Sequence, residues 1–177
     1  MSMEPVYKRF PKVPIERRAC AFALDFIAVW LVSSFAAGNL FLQGLVFVLL
    51  WLALRVVLVS NNQGQSLGRW ALDMKVLDAL DRKIPRLSTL AKREGILGLC
   101  ALLAMIGLSI GLANGISLVV LTAPLAADCS VALSDPDAQQ AFHDRIAQTI
   151  VIQTRRGFSL DLRLKKLFAQ LRHRMQK

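Results

Sequence analysis

The chain has 177 residues, of which 55% are hydrophobic, and it carries a formal net charge of +10 at pH 7. Its length suits about one domain, but its charges are segregated into basic blocks between long apolar stretches, which an ordinary soluble domain rarely shows. This pattern excludes an ordinary soluble protein and favours a polytopic membrane protein. The first basic block, residues 1–18, is expected in the cytoplasm because positively charged segments stay on that side.

Two apolar segments follow the basic N-terminus. Residues 19–37 are apolar apart from Asp25 and two serines, and at about 1.5 Å per residue they reach across the ~30 Å hydrocarbon core. Gly38 interrupts the pattern, and residues 40–59 supply a second span whose only charge is Arg55. We therefore predict a helical hairpin.

A polar turn lies just after the second span, at the start of a cytoplasmic loop over residues 61–94. Its two glycines allow close approach of the backbone, and its amides could hold an anion such as a lipid phosphate. A plain turn is the other interpretation. The Lys and the following Ser or Thr of a nucleotide P-loop are missing, so we do not expect nucleotide binding. The turn contains Gly64, Gln65, Ser66, Gly68 and Arg69.

The rest of this loop is predicted to be partly structured. Residues 74–78 alternate weakly between apolar and polar, and a turn follows at residues 81–83. This pattern predicts a small β-hairpin at the membrane surface. Residues 149–154 are rich in β-branched residues and could pair with the same strand.

The third apolar region is too long for one upright helix, and Asn114 and Gly115 interrupt it. The segment after His143 is the most basic block of the chain, so it should lie on the same side as the N-terminus. We therefore predict two further membrane segments, at residues 95–113 and 116–131, which are short or re-entrant. A single crossing here, giving three segments in all, is the alternative.

The end of the chain, residues 158–177, shows helical periodicity, with an apolar stripe and basic residues on the other faces. We predict a basic amphipathic helix that lies on anionic lipid or docks on a partner protein. Its main residues are Leu160, Leu164, Leu167, Phe168, Leu171, Lys165, Lys166 and Arg172. The predicted fold is thus an all-α integral membrane bundle over residues 19–153, with four segments (alternatively three), a small cytoplasmic β-hairpin and this helix.

A carboxylate inside a transmembrane helix costs roughly 2.5–3.5 kcal/mol on insertion scales, so Asp25 needs a partner. Arg18 lies two helical turns away on the same face of the helix, and Arg55 on the second span is another candidate. The group could be an ion or proton site or a structural ion pair. A carboxylate with two nearby arginines is already neutralised, which favours the structural role.

Other chemistry has weak support in the sequence. His143 and Asp144 are two adjacent ligands, too few for a metal site, and no nucleophile has an obvious base. We therefore expect no metal, no cofactor and no enzymatic activity. The basic C-terminal segment lacks aromatic residues for stacking on bases, so we expect no nucleic-acid partner either.

Several short motifs, taken in order, resemble those of the RDD family of membrane proteins. They are Arg18, Ala21 and Asp25 in the spacing R-x-x-A-x-x-x-D, the G-Q-S-L-G-R turn at residues 64–69, Val76 to Asp78, Arg93, His143 with Asp144, and Thr149 to Val151. The resemblance runs from about Arg17 to Gln153. It implies a multi-span bacterial membrane protein, with transport often suspected and cation/proton exchange proposed for some members.

The resemblance also assigns residues. The family is named for an arginine and two aspartates, which map onto Arg18, Asp25 and Asp144. The sequence departs from the family pattern at Ser66, where threonine is common, and at Gln148, where a glycine often stands before the threonine. The linker from Asp128 to Gln140 is unusually polar, and the basic helix after Gly157 is an addition.

With four segments, the motif residues share one membrane boundary. Arg18, the glycine turn, Arg93 and the His143/Asp144 pair would lie at that boundary, with Asp25 just beneath it. We expect one polar cluster in which Arg18 bridges Asp25 and Asp144, or Arg93 bridges Asp144.

Two classes of function follow from these expectations. The first is an accessory or assembly subunit of a larger membrane complex, which the short chain and the neutralised carboxylate favour. The second is a small oligomeric ion or solute transporter. The expected partners are anionic lipids together with a larger complex or further copies of the chain. The expected location is a bacterial inner membrane, or an internal membrane such as the thylakoid, with both termini cytoplasmic.

Overall fold

The computed structural model describes residues 13–36, 38–111, 115–134 and 139–154. The predicted amphipathic helix at residues 158–177 lies outside the described residues, as do residues 1–12 of the basic N-terminus. Six helices and two strands are formed within the described ranges. They are α1 (Ile15–Ser33), α2 (Leu40–Asn61), α3 (Leu67–Ala71), β1 (Met74–Asp78), α4 (Leu87–Gly111), α5 (Gly115–Ser130), α6 (Phe142–Ile146) and β2 (Thr149–Gln153).

Three of these helices are long and apolar enough to cross a membrane. They are α1 with its terminal 3-10 turn (Ile15–Ala36), α2 and α4, whereas α5 is apolar but shorter. A mostly helical fold with three candidate membrane-spanning helices is therefore confirmed. The third long helix begins at Leu87 rather than at residue 95, so the predicted loop over residues 61–94 was too long. The hydropathy pattern assigned the first turns of α4 to a loop because Arg93 and Glu94 are charged. Both side chains are nevertheless buried within the bundle.

The core of the bundle lies between α1, α2 and α4. Val29, Phe47, Trp51, Leu97 and Met105 form its buried apolar cluster. The rings of Phe47 and Trp51 stack with centroids 5.8 Å apart. The α5 helix packs along α4 in the opposite direction, so that the end of α5 returns toward the beginning of α4.

A π-helical turn over Ala53–Val57 interrupts α2. The buried residues of this helix recur every four positions, from Phe47 through Trp51 and Arg55 to Val59. Because an ideal α-helix repeats every 3.6 residues, a four-residue spacing would drift around the helix, and the wider π turn compensates for the drift. The turn therefore keeps the Arg55 guanidinium on the inward face.

The two strands form an antiparallel pair that runs from Met74 opposite Gln153 to Asp78 opposite Thr149. The predicted pairing with residues 149–154 is confirmed, but the predicted local β-hairpin is wrong. The chain turns after Asp78 and then meets Pro85, which has no N–H to donate to a ladder. The sheet instead joins distant segments, and we refer to α3, β1, α6 and β2 together as the cap.

Candidate functional site

The cap meets the bundle at the end where α1 and α4 begin and α2 and α5 end. Nine titratable side chains are concentrated at this junction, and most of them are less than 6% exposed. We refer to them as the polar cluster: Arg18, Asp25, Arg55, Arg69, Arg93, Glu94, Asp128, His143 and Asp144.

Asp25 joins α1 to α2 and to the cap. Its side chain is 0% exposed. It accepts hydrogen bonds from Arg55 Nη1 at 2.8 Å, from Ser66 Oγ at 2.6 Å and from the Gly68 amide at 2.7 Å. The prediction that Arg18 pairs with Asp25 is wrong, and the second candidate, Arg55, is the partner. Arg18 lies a further two turns toward the helix start and is bound elsewhere.

The glycine turn is shaped to bring its backbone against α1 and β1. A side chain at Gly68 would place Cβ 2.1 Å from the carbonyl oxygen of Ala21, so only glycine lets α3 sit this close to α1. Gly64 adopts φ +84°, and a Cβ there would lie 2.5 Å from the Val76 carbonyl oxygen. The Gln65 side-chain amide donates to the Met74 carbonyl at 2.8 Å.

These contacts decide which anion the Gly68 amide holds. The sequence suggested a lipid phosphate or a plain turn, but this amide is occupied by the carboxylate of Asp25. Ser66 adds its hydroxyl to the same carboxylate, a contact that the threonine common at this position could also make. The turn is therefore an intramolecular carboxylate clamp.

Glu94 is the central anion of the polar cluster, and it is not among the site residues predicted from the sequence. Its carboxylate is 0% exposed. It accepts from Arg55 Nε at 2.7 Å, from Arg69 Nη2 at 3.0 Å and from Arg93 Nη1 at 2.7 Å. Arg55 also rests on the Trp51 ring, with its guanidinium carbon 4.9 Å from the ring centroid, in cation–π geometry. Three helices thus converge on one carboxylate.

Asp144 connects the cap to the other side of the bundle. It accepts from Arg93 Nε at 2.8 Å and from Arg18, which lies 126 residues away in sequence. The predicted Arg93–Asp144 and Arg18–Asp144 bridges are therefore confirmed. Burial by itself would raise the pKa of Asp144, but the positive charges of Arg93 and Arg18 outweigh it and hold this pKa well below its usual range.

His143 fixes the end of α5 to the cap. Its Nδ1 lies 2.5 Å from Asp128 Oδ2, and its backbone amide donates to Asp128 Oδ1 at 2.9 Å. Arg93 Nη2 lies 3.3 Å from His143 Nε2. Asp128, which lies both in the predicted segment at residues 116–131 and at the start of the polar linker, is in the last turn of α5 and is buried. Among the described residues, no group of three or more His, Cys, Asp or Glu side chains is arranged to hold a metal ion.

The polar cluster is balanced in charge, with four arginines facing four carboxylates. Arg69 is the least satisfied of the cations, since its buried Nη1 has no hydrogen-bond partner in the part of the chain that the structure describes. Burial, followed by the nearby charges of Arg55 and Arg93, lowers the pKa of Arg69 to about 9. A further anion close to Arg69 would raise this pKa again and could accept a hydrogen bond from Nη1.

A cavity of about 330 Å³ lies beside the polar cluster. Its polar lining consists mainly of the four arginines and His143, and no carboxylate of a described residue lines it. Its apolar walls come from α1, α4 and α5, including Phe22, Leu97 and Leu125. The cavity therefore combines a cationic side with a hydrophobic side.

Gln148, one of the departures from the family pattern, has an unusual backbone conformation. Gln148 adopts φ +50°, in the left-handed region that glycine enters at least cost. Its carbonyl accepts from the Ala79 amide at 2.9 Å, which closes the end of the sheet next to Thr149. This backbone position explains why a glycine is common there.

One comparison with known proteins finds a match that covers most of the chain. The RDD family model matches residues 12–148, which include every residue of the polar cluster. Neither the curated proteins nor the solved structures include a significant match to the chain. On the strength of the family match, the chain belongs to the RDD family.

Proposed function

We propose that the chain is a non-enzymatic accessory or assembly subunit of a membrane complex, in which the polar cluster is a structural joint between bundle and cap. One observation carries the proposal. All four carboxylates of the polar cluster are bound by arginine or histidine, and most of these contacts are shorter than 3.1 Å. A group that carries a cation or proton must change partners during a cycle, whereas these groups are already paired.

The topology proposed for this role has four membrane segments and both termini in the cytoplasm. Asp128, near the end of α5, binds His143 of the cap, and His143 contacts Arg93 near the beginning of α4. This arrangement supports a return of α5 to the side from which α4 departs. The basic blocks at residues 1–18 and after His143 favour the cytoplasm for that side.

The proposed surroundings follow from the same features. The outer faces of the helices carry exposed large apolar residues, such as Leu31, Phe41 and Val119, which suit lipid or the helices of a partner. Anionic lipids are the proposed contact of residues 158–177. A bacterial inner membrane or an internal membrane such as the thylakoid is the proposed location, with the partner being a larger complex or further copies of the chain.

The cation/proton exchange that the resemblance suggested is the competing function. The cavity weighs against it, because four arginines and no described carboxylate line the space next to the polar cluster. Such a lining repels cations. A cation pathway would therefore need carboxylates from other copies of the chain.

Purification in a mild detergent, followed by native mass spectrometry, tests the proposal. We expect the tagged full chain to emerge with a partner of defined mass at a fixed stoichiometry. A homo-oligomer without other subunits, whose cation flux in liposomes is lost in Asp25→Asn, would overturn it. The matched control is Glu16→Gln, which removes an exposed carboxylate from the same helix. Folded yield and Tm separate lost flux from lost structure.

A further inference from the structure

We propose that the cavity beside the polar cluster binds the anionic headgroup of a membrane lipid. The binding group is a phosphate or carboxylate placed against Arg69, with part of an acyl chain lying along the apolar wall. The inference goes beyond the accessory role and does not depend on it. A subunit of a complex and an isolated protein could both hold such a lipid.

Arg69 offers a hydrogen-bond donor beside the cavity, and no described residue accepts from it. Arg69 lines the cavity, is only 4% exposed, and has a buried Nη1 without a partner among the described residues. A buried N–H of a charged group that lacks an acceptor is costly. Arg69 Nη2 already binds Glu94 at 3.0 Å. An anion in the cavity would give Nη1 a hydrogen-bond acceptor without displacing Glu94.

The size and polarity of the cavity suit a lipid headgroup with part of its chain. Its volume of about 330 Å³ is at the lower end of the ~300–1,000 Å³ found for small-molecule sites. It can therefore hold a headgroup and the first part of a chain, but not a whole lipid. Phe22, Leu97 and Leu125 provide apolar contacts opposite the arginines. An inorganic anion would leave this wall unused.

The cavity opens at the surface of the bundle. Three of the lining residues, Ala19 on α1 and Ala126 and Cys129 on α5, are exposed at the protein surface. They place the opening of the cavity between two apolar helices. In a membrane, that surface faces lipid at the level of the polar cluster. The occupant therefore enters from the bilayer, which favours a lipid over a free phosphate.

The test measures Tm and binding with the delipidated full chain in a neutral detergent. The three additives are dioleoylphosphatidic acid, dioleoylphosphatidylcholine with the same chains, and sodium phosphate. We expect a saturable rise in Tm with phosphatidic acid that clearly exceeds the effect of the other two. In native mass spectra, the folded protein should retain one phosphatidic acid molecule.

Matched variants locate the site. Ala126→Phe places a ring in the opening, whereas Ala127→Phe adds the same ring at an exposed neighbour that does not line the cavity. We expect binding to be at least about tenfold weaker in Ala126→Phe and unchanged in Ala127→Phe. Arg69→Gln should also weaken binding about tenfold, as expected for loss of a charged hydrogen bond.

Three outcomes would overturn the inference. Equal binding by Ala126→Phe and Ala127→Phe, with both variants folded, would place the lipid elsewhere. An equal Tm rise with sodium phosphate would show that a soluble anion, not a lipid, is the ligand. Absence of any rise with phosphatidic acid would remove the site altogether.

Discussion

Glu94→Gln is expected to destabilise the protein more than any other single neutralisation in the polar cluster. The carboxylate is 0% exposed and accepts four hydrogen bonds from Arg55, Arg69 and Arg93. The substituted amide keeps one acceptor oxygen but turns an NH₂ group toward the guanidinium donors. Removal of one partner from a buried ion pair typically costs 3–5 kcal/mol. We expect a loss of about 3–5 kcal/mol, a large part of the 5–15 kcal/mol typical of a domain.

The assay is reversible unfolding in mixed detergent micelles, which gives the free energy of unfolding. Glu16→Gln is the matched control, since it removes an exposed carboxylate and should change stability by less than about 0.5 kcal/mol. Adding Arg69→Met to Glu94→Gln removes the least satisfied cation and restores the balance of charge. The double variant should recover about 1–2 kcal/mol. A loss below about 1 kcal/mol in Glu94→Gln, or no recovery in the double variant, would refute this reasoning.

Two further predictions concern the glycine clamp and pH. Gly68→Ala should cost at least about 2–3 kcal/mol in micelle unfolding because its Cβ would lie 2.1 Å from the Ala21 carbonyl oxygen. Gly95→Ala, where a Cβ meets nothing within 4 Å, should be neutral or stabilise α4 by up to about 1 kcal/mol; equal effects would contradict the close packing. The lowered pKa of Asp144 predicts a stabilisation that is fully present above the unfolded pKa of about 3.9 and lost as pH falls through the folded value. The stability difference between wild type and Asp144→Asn should therefore be constant from about pH 7 to 5 and shrink at pH values below the unfolded pKa of about 3.9. A difference that stays the same in that stronger acid would contradict the shift.

The sequence predicted the membrane helices because apolar runs of sufficient length leave few alternatives. It also predicted that Arg18, Arg93, Asp144 and the glycine turn come together, and the structure confirms that they lie at one end of the bundle. The partners within the polar cluster were harder to predict, because spacing along one helix favoured Arg18 for Asp25. The π turn in α2 instead turns Arg55 inward.

Glu94 and Asp128 were missed for a related reason. Hydropathy places helix ends where charge begins, so residues just outside an apolar run are assigned to loops. Glu94 lies about two turns after the start of α4 and is bound by Arg55 and Arg93 of the bundle and by Arg69 of the cap. Asp128 lies in the last turn of α5 and is bound by His143 of the cap. The reasoning used for Asp25 could have identified both residues. A carboxylate in or next to an apolar run requires a cationic partner, and Glu94 and Asp128 both meet this description. The pairing of β1 with β2 depends on where α5 ends, because β2 follows α5 in the chain. The local sequence of either strand does not contain this information.

A double-mutant cycle between Arg93 and Asp144 tests most directly whether the polar cluster joins the cap to the bundle. The two side chains meet at 2.7–2.8 Å across the joint. Arg93→Met, Asp144→Asn and the double variant are compared with wild type by free energy of unfolding in micelles. We predict a coupling energy of about 1–3 kcal/mol. A coupling of zero, with each single variant near wild type in stability, would contradict a structural joint.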